Sequence, residues 1–116
     1  MTSGASASQG ETTTAGPAFG LWYDFRNPDP GRPFSTFYRE ILDQISWAEQ
    51  RGIDSAWLTE HHFQPEGAEM SPNPLMTQMA IATHTKKIRL GQCANIVVWH
   101  HPVRLAGQVA LLDGIS

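Results

Sequence analysis

Three short apolar segments alternate with three stretches of helical periodicity between Pro17 and Ser116, and this alternation constrains the fold of the 116-residue chain more than any other feature. The first segment, Ala18-Phe19-Gly20-Leu21-Trp22-Tyr23-Asp24-Phe25, is mostly apolar and aromatic and reads as a strand. Arg26 to Pro33 holds three prolines, an aspartate and a glycine, and reads as a loop. Ser35 is expected to cap a helix that runs to about Arg51, with Phe37, Ile41, Ile45 and Ala48 as its buried stripe and Gly52 as its C-terminal glycine. Asp54 to Thr59 is the second strand. A polar loop then leads to Asn73-Pro74, an asparagine cap followed by proline at the first helical position. That second helix carries Leu75, Met76, Met79, Ala80 and Ala82 and is expected to end near Thr85. The third strand falls within Ile88 to Val98, and Pro102 opens a third helix bearing Val103, Ala106, Val109, Ala110 and Leu112.

Short strands alternating with helices imply βαβ units and a parallel sheet, hence an α/β fold. Crossovers of one hand place all three strand-to-helix loops at the same end of the sheet. Those loops begin at Asp24, at Glu60 and near Val98. The pairs His61-His62 and His100-His101 are therefore expected on one face, the face where parallel α/β proteins collect ligands.

Several function classes are disfavoured by composition. The net charge is −3 and no basic stripe is visible, so nothing points to nucleic acid. Cys93 is the only cysteine, which excludes an internal disulfide and suits a reducing, cytoplasmic setting. No apolar run is long enough to cross a bilayer. Residues Met1 to Gly16 are Ser, Thr, Ala and Gly with one acid, so they read as a disordered tail ahead of a folded domain over 17–116.

Glu60-His61-His62-Phe63 is the segment richest in chemistry. An acid at a strand end can hydrogen-bond a ligand, orient a histidine or cap a neighbouring loop. His61 is the candidate for proton transfer, because imidazole both donates and accepts near neutral pH. Adjacent residues of an extended backbone point to opposite sides, so one histidine of the pair faces a pocket and the other packs behind it. Zinc is the rival reading, but neither His-x-His nor His-Glu-x-x-His occurs, and no metal site is expected. His84 is expected at a helix end away from this face, in a surface role. Cys93 is expected to be a buried, inert thiol within its strand. Trp22, Phe25, Trp57 and Trp99 are expected mainly in the core, with one or two lining the pocket of a planar ligand. No Gly-x-Gly-x-x-Gly follows a strand, so a Rossmann dinucleotide site is unsupported.

A set of short motifs occurs in a fixed order: Phe19-Gly20; Ala48-Glu49-Gln50-Arg51-Gly52-Ile53-Asp54-Ser55-Ala56-Trp57-Leu58; Glu60-His61-His62-Phe63; Ser71-Pro72-Asn73-Pro74-Leu75; Thr85-Lys86-Lys87-Ile88-Arg89-Leu90-Gly91; and His101-Pro102-Val103-Arg104-Leu105-Ala106 with Leu112-Asp113. In this order and spacing the chain resembles the N-terminal part of the bacterial luciferase-like flavin-dependent monooxygenases. The resemblance implies a (β/α)8 TIM-barrel type fold, of which the first three βα units are present here. It implies a monooxygenase that uses reduced FMN and O2 to oxygenate a small organic substrate, with a flavin reductase as supplier and an oligomeric assembly. A deazaflavin F420-dependent oxidoreductase on the same barrel is the alternative, and the Glu-His-His-Phe form resembles the FMN branch more closely. By the same resemblance His61 is the catalytic histidine beside the reactive edge of the flavin, Glu60 adjoins the flavin, and Cys93-Ala94 lies against its ring, often through a cis peptide bond. Trp22 and Trp99 are candidate pocket walls.

A complete barrel takes about 250 residues. The resemblance places Leu112-Asp113-Gly114-Ile115-Ser116 just before a fourth strand, and the main phosphate-binding residues of the family lie past that point. A truncated product, or a non-catalytic subunit completed by a partner's strands, is the further expectation.

Overall fold

The computed structural model describes residues 16–29, 31–63 and 69–116. Most of the expected N-terminal tail and part of the polar loop before Asn73 lie outside the described residues. The elements run β1 (Gly20–Tyr23), α1 (Phe34–Glu49), β2 (Ser55–Leu58), α2 (Pro74–Ala82), β3 (Arg89–Gln92), a single 3-10 turn (Val97–Trp99) and α3 (Pro102–Ile115). The strands form one parallel sheet in the order β1-β2-β3, with Trp22 opposite Trp57 and Trp57 opposite Gly91. The alternation read from the sequence is thus the architecture. No described helix is long and apolar enough to cross a membrane.

The stripe expected of α1 is its buried face: Phe37, Ile41, Ile45 and Ala48. It packs on Ala56 and Leu58 of β2, with Phe25, Ile81 and Ile88 completing the cluster. Ile45, Ala56, Leu58 and Ile81 are wholly buried. Each large aliphatic side chain so buried contributes about 1.5–3 kcal/mol.

The start of α1 differs from expectation. Pro33, not Ser35, is the capping residue, and Ser35 lies inside the first turn. The Pro33 carbonyl accepts from Thr36 N (3.0 Å) and Phe37 N (3.1 Å), so the helix is entered through the backbone without a side-chain cap. At the other end Gly52 has φ +82°, a conformation that only glycine adopts cheaply, and Ile53 N returns to Ala48 O at 3.2 Å. The helix α2 is capped as expected, with Asn73 Oδ1 accepting from Met76 N at 3.1 Å. It stops at Ala82 because the Thr83 and Thr85 hydroxyls take the carbonyls of Ala80 and Ile81, at 2.7 and 2.9 Å.

The third strand is shorter than its apolar sequence suggests. Cys93 N reaches Leu58 O (2.8 Å) as the last rung, the Cys93–Ala94 peptide is cis, and the chain then turns away. Cys93 is consequently exposed, which corrects the expectation of a buried thiol. Behind β3, Gln78 is almost fully buried, donating from Nε2 to Gly91 O (2.7 Å) and accepting from Gln92 Nε2 (2.8 Å).

The second sheet face carries Trp22 and Trp57, 59% and 43% exposed, which corrects their expected place in the core. The Trp57 indole lies across the sheet between two glycines. A Cβ at Gly91 would sit 2.4 Å from the Trp57 ring, and one at Gly20 would sit 2.6 Å from Ser55 Oγ. Alanine at Gly91 is expected to lift the indole and cost about 1–3 kcal/mol in urea denaturation, and a Trp57→Ala background should erase that cost in a double-mutant cycle.

One carboxylate ties α1 to the approach of β3. Glu49 Oε1 accepts three consecutive backbone N–H groups, from Lys86 (2.8 Å), Lys87 (2.5 Å) and Ile88 (2.9 Å). Loss of water around Glu49 pushes its carboxyl up, but these three hydrogen bonds and the Lys87 charge together outweigh that and hold it below its ordinary value of 4.5. The stabilisation is therefore complete above that ordinary value and is lost as pH falls through the lower folded one. Glu49→Ala should cost about 1–2 kcal/mol near neutral pH, and the difference from the parent chain should shrink in denaturation curves taken below pH 4.5.

Candidate functional site

The carboxyl ends of β1 and β2 and the segment entering α2 meet in a small knot of backbone pairing. Met70 N donates to Phe25 O (3.0 Å) and His61 N to Ser71 O (2.9 Å), so that Arg26 lies opposite Glu69 and His61 opposite Ser71 in antiparallel bridges. Ser71 is buried and its hydroxyl donates to Thr59 O, while the Tyr38 hydroxyl donates to Met70 O. Phe25 and Phe63, on either side of this knot, hold φ +56° and +54°. Positive φ on a bulky residue costs about 1–3 kcal/mol and persists where the surroundings over-determine it.

The two neighbouring histidines enter different clusters, as the alternation of an extended chain demands. The His61 ring stands between two carboxylates: Nδ1 lies 3.0 Å from Glu69 Oε2 and Nε2 lies 3.2 Å from Asp24 Oδ1. Nε2 is buried yet has no aligned hydrogen-bond partner. The other oxygens of these carboxylates go to one guanidinium. Arg26 Nε donates to Asp24 Oδ2 (2.5 Å) and Nη2 to Glu69 Oε1. The hydrogen bond to Asp24 and the charges of Glu69 and Asp24 hold Arg26 still more firmly in its charged form. Ligand atoms of Asp24, His61 and Glu69 lie within 4.8 Å of one another, a grouping that can surround a cation, but Arg26 already neutralises an oxygen of each acid.

Glu60 is buried, and both its oxygens have protein partners. His62 Nε2 donates to Oε1 (2.8 Å), and Ile96 N donates to Oε2 (2.6 Å). His100 Nε2 approaches Oε1 at 3.9 Å, and the His62 ring packs edge-on against Trp99 with centroids 4.4 Å apart. Glu60 therefore fastens the end of β2 to the loop that carries Cys93, Ala94 and Asn95. On that loop the Asn95 carboxamide is buried with neither Oδ1 nor Nδ2 hydrogen-bonded, and Cys93 and Ala94 are exposed. Trp99 remains 57% exposed, and Trp22 lies on the open sheet face. His84 lies away from both clusters at the end of α2, its Nδ1 2.8 Å from Ala80 O. His101 is exposed at the start of α3.

Asp24, Arg26 and Glu69 were not singled out by sequence reasoning as site residues. The position of Asp24 at a strand end was a usable signal. Glu69 carried none, because only the antiparallel bridge to Arg26 brings it to His61.

The family model described as luciferase-like monooxygenase matches residues 18–116. The oxygenase component of flavin-dependent trigonelline monooxygenase from Acinetobacter baylyi is 33% identical over 79 residues, which are 68% of this chain and 21% of that protein. The alkanal monooxygenase alpha chain of Photorhabdus luminescens is 39% identical over 75 residues, 65% of this chain and 20% of that one. Among solved structures, the monooxygenase RslO1 of Streptomyces bottropensis superposes with a TM-score of 0.77 at 32% identity, covering 86% of this chain and 30% of its own. The oxygenating constituent of 3,6-diketocamphane monooxygenase from Pseudomonas putida, a type II Baeyer-Villiger monooxygenase in complex with FMN, gives 0.72 at 29% identity, with 84% and 26% covered. The chain thus spans about a fifth to three-tenths of the length of these relatives. Its three parallel strands and their helices are the first units of a TIM-barrel type fold, and the chain belongs to the luciferase-like monooxygenase family.

Proposed function

We propose that this chain forms the histidine-bearing part of an FMN-dependent monooxygenase that oxygenates a small organic substrate with O2, in a barrel closed by further strands. The observation that carries the reading is His61. Its ring stands at the carboxyl end of β2 with one buried nitrogen lacking an aligned partner, in a chain of this family. The FMN complex of one relative supports the choice of flavin, and the oxygenase-component name of another supports a separate flavin reductase as partner. Exposed Trp22 and Trp57 on one sheet face support completion of the barrel by additional strands.

The residues present suit a flavin. The Asn95 carboxamide offers an unspent donor and an unspent acceptor beside the strand ends, matching the mixed donors and acceptors on the polar edge of a flavin ring. In this reading Cys93 and Ala94 supply backbone against the ring, Glu60 positions that loop through Ile96 N, and Trp99 walls the pocket. Reduced flavin supplies the electrons that activate O2. His61 holds or moves a proton at Nε2, and the apolar walls keep water from the reacting centre.

His61→Ala in the complete barrel should lower the rate of substrate oxygenation by about 10²–10⁴-fold with reduced FMN bound at near-normal affinity. An unchanged rate, or turnover supported by reduced F420 in place of reduced FMN, would overturn the reading. Glu60→Gln should instead weaken FMN binding by about tenfold or more in a fluorescence titration, because the loop loses a charged tether of about 1.5–3 kcal/mol.

A further inference from the structure

The closed ring of charges around His61 has a definite order, and we propose from it that Glu69 is the positioning residue of His61, itself held in place by Arg26 and Asp24. Glu69 is nine-tenths buried at its side chain, against 27% exposure for His61 and 23% for Asp24. It divides its oxygens, Oε1 accepting from Arg26 Nη2 and Oε2 facing His61 Nδ1 at 3.0 Å. Asp24 divides its oxygens in the same way, with Oδ2 on Arg26 and Oδ1 3.2 Å from His61 Nε2. The backbone enforces the placement. Glu69 lies opposite Arg26 in an antiparallel bridge, Met70 N is bonded to Phe25 O, and Phe25, at positive φ, is the residue between Asp24 and Arg26.

A carboxylate only accepts, and each ring nitrogen faces one, so the nearer and more buried acid has the stronger hold on a ring hydrogen. Glu69 therefore assigns the hydrogen-bonding hydrogen to Nδ1 and fixes the plane of the ring. Nε2, 3.2 Å from the more exposed Asp24 and buried without an aligned hydrogen-bond partner, is left as the nitrogen whose proton can change hands. This is the logic by which a buried acid orients a catalytic imidazole. His62 takes no part, since its Nε2 is bound to Glu60. The catalytic meaning of the arrangement rests on the function proposed above; the geometry of the ring does not.

The test reads the ring directly. In the 116-residue chain, histidine ring 15N signals should show Nδ1 of His61 protonated and slow to exchange with solvent. Glu69→Ala should shift both His61 ring nitrogens and release the Nδ1 proton to fast exchange, leaving the His62 and His84 signals in place. Glu69→Gln, whose carboxamide oxygen still accepts, should restore most of the parent pattern. Arg26→Gln should move the same signals in the same direction by less, and it decides the matter if Glu69→Ala fails to fold. Unaltered His61 signals in Glu69→Ala or in a folded Arg26→Gln, or an Nδ1 that exchanges freely in the parent, would overturn the proposal. In the complete barrel, Glu69→Ala should lower kcat by about 10²-fold with the KM for substrate little changed, and Glu69→Gln by much less. Shifted ring signals with full activity in His61→Ala would sink the catalytic reading alone and leave the positioning role standing.

Discussion

The burial of Ala56 and Leu58 beneath α1 is the constraint on which the rest depends. Both are wholly buried, and they occupy alternate positions of the central strand. Once they face the helices, Trp57 must face the other way, and its indole needs the missing side chains of Gly20 and Gly91 to lie flat across the sheet. The same anchoring delivers Glu60, His61 and His62 at the strand end, where backbone pairing with Ser71 stops the chain from splaying.

From that point the tetrapeptide serves two neighbours. Glu60 and His62 bind inward and sideways to Ile96, Trp99 and His100, fixing the loop after β3. His61 turns toward the end of β1 and meets Asp24, Arg26 and Glu69. A strand-end acid could bind a ligand, orient a histidine or hold a loop. In this structure Glu60 orients His62 and holds a loop, with both oxygens occupied. Two carboxylates, one guanidinium and one imidazole then share a partly buried space beside it. Each acid binds Arg26 with one oxygen and faces the His61 ring with the other, so that no buried charge stands alone. The mutual arrangement matters more than any single pair, because exposed ion pairs alone contribute little.

The sequence made some features legible and hid others for identifiable reasons. Helical spacing disclosed the α1 stripe residue for residue, and Asn73-Pro74 disclosed the start of α2, because both depend on contacts within a few residues. Ser35 misled because Pro33 already closes the helix entry through its carbonyl. Cys93 misled because apolar composition cannot tell a strand from the turn that follows it; the ladder ends there and exposes the thiol. Trp22 and Trp57 misled because bulk and apolarity suggest a core, whereas their strand phase puts them on the uncovered face.

What the sequence determined by itself is the order of three βα units and the arrival of Glu60, His61 and His62 at one end of a parallel sheet, since period and punctuation are local properties of the chain. Only the tertiary structure decided which histidine serves which acid. Glu69 is eight positions from His61 in the chain and reaches its ring through an antiparallel bridge to Arg26, while Ile96 reaches Glu60 from the loop after β3. Contacts of that kind are set by how strands and loops dock, and no spacing along the chain encodes them.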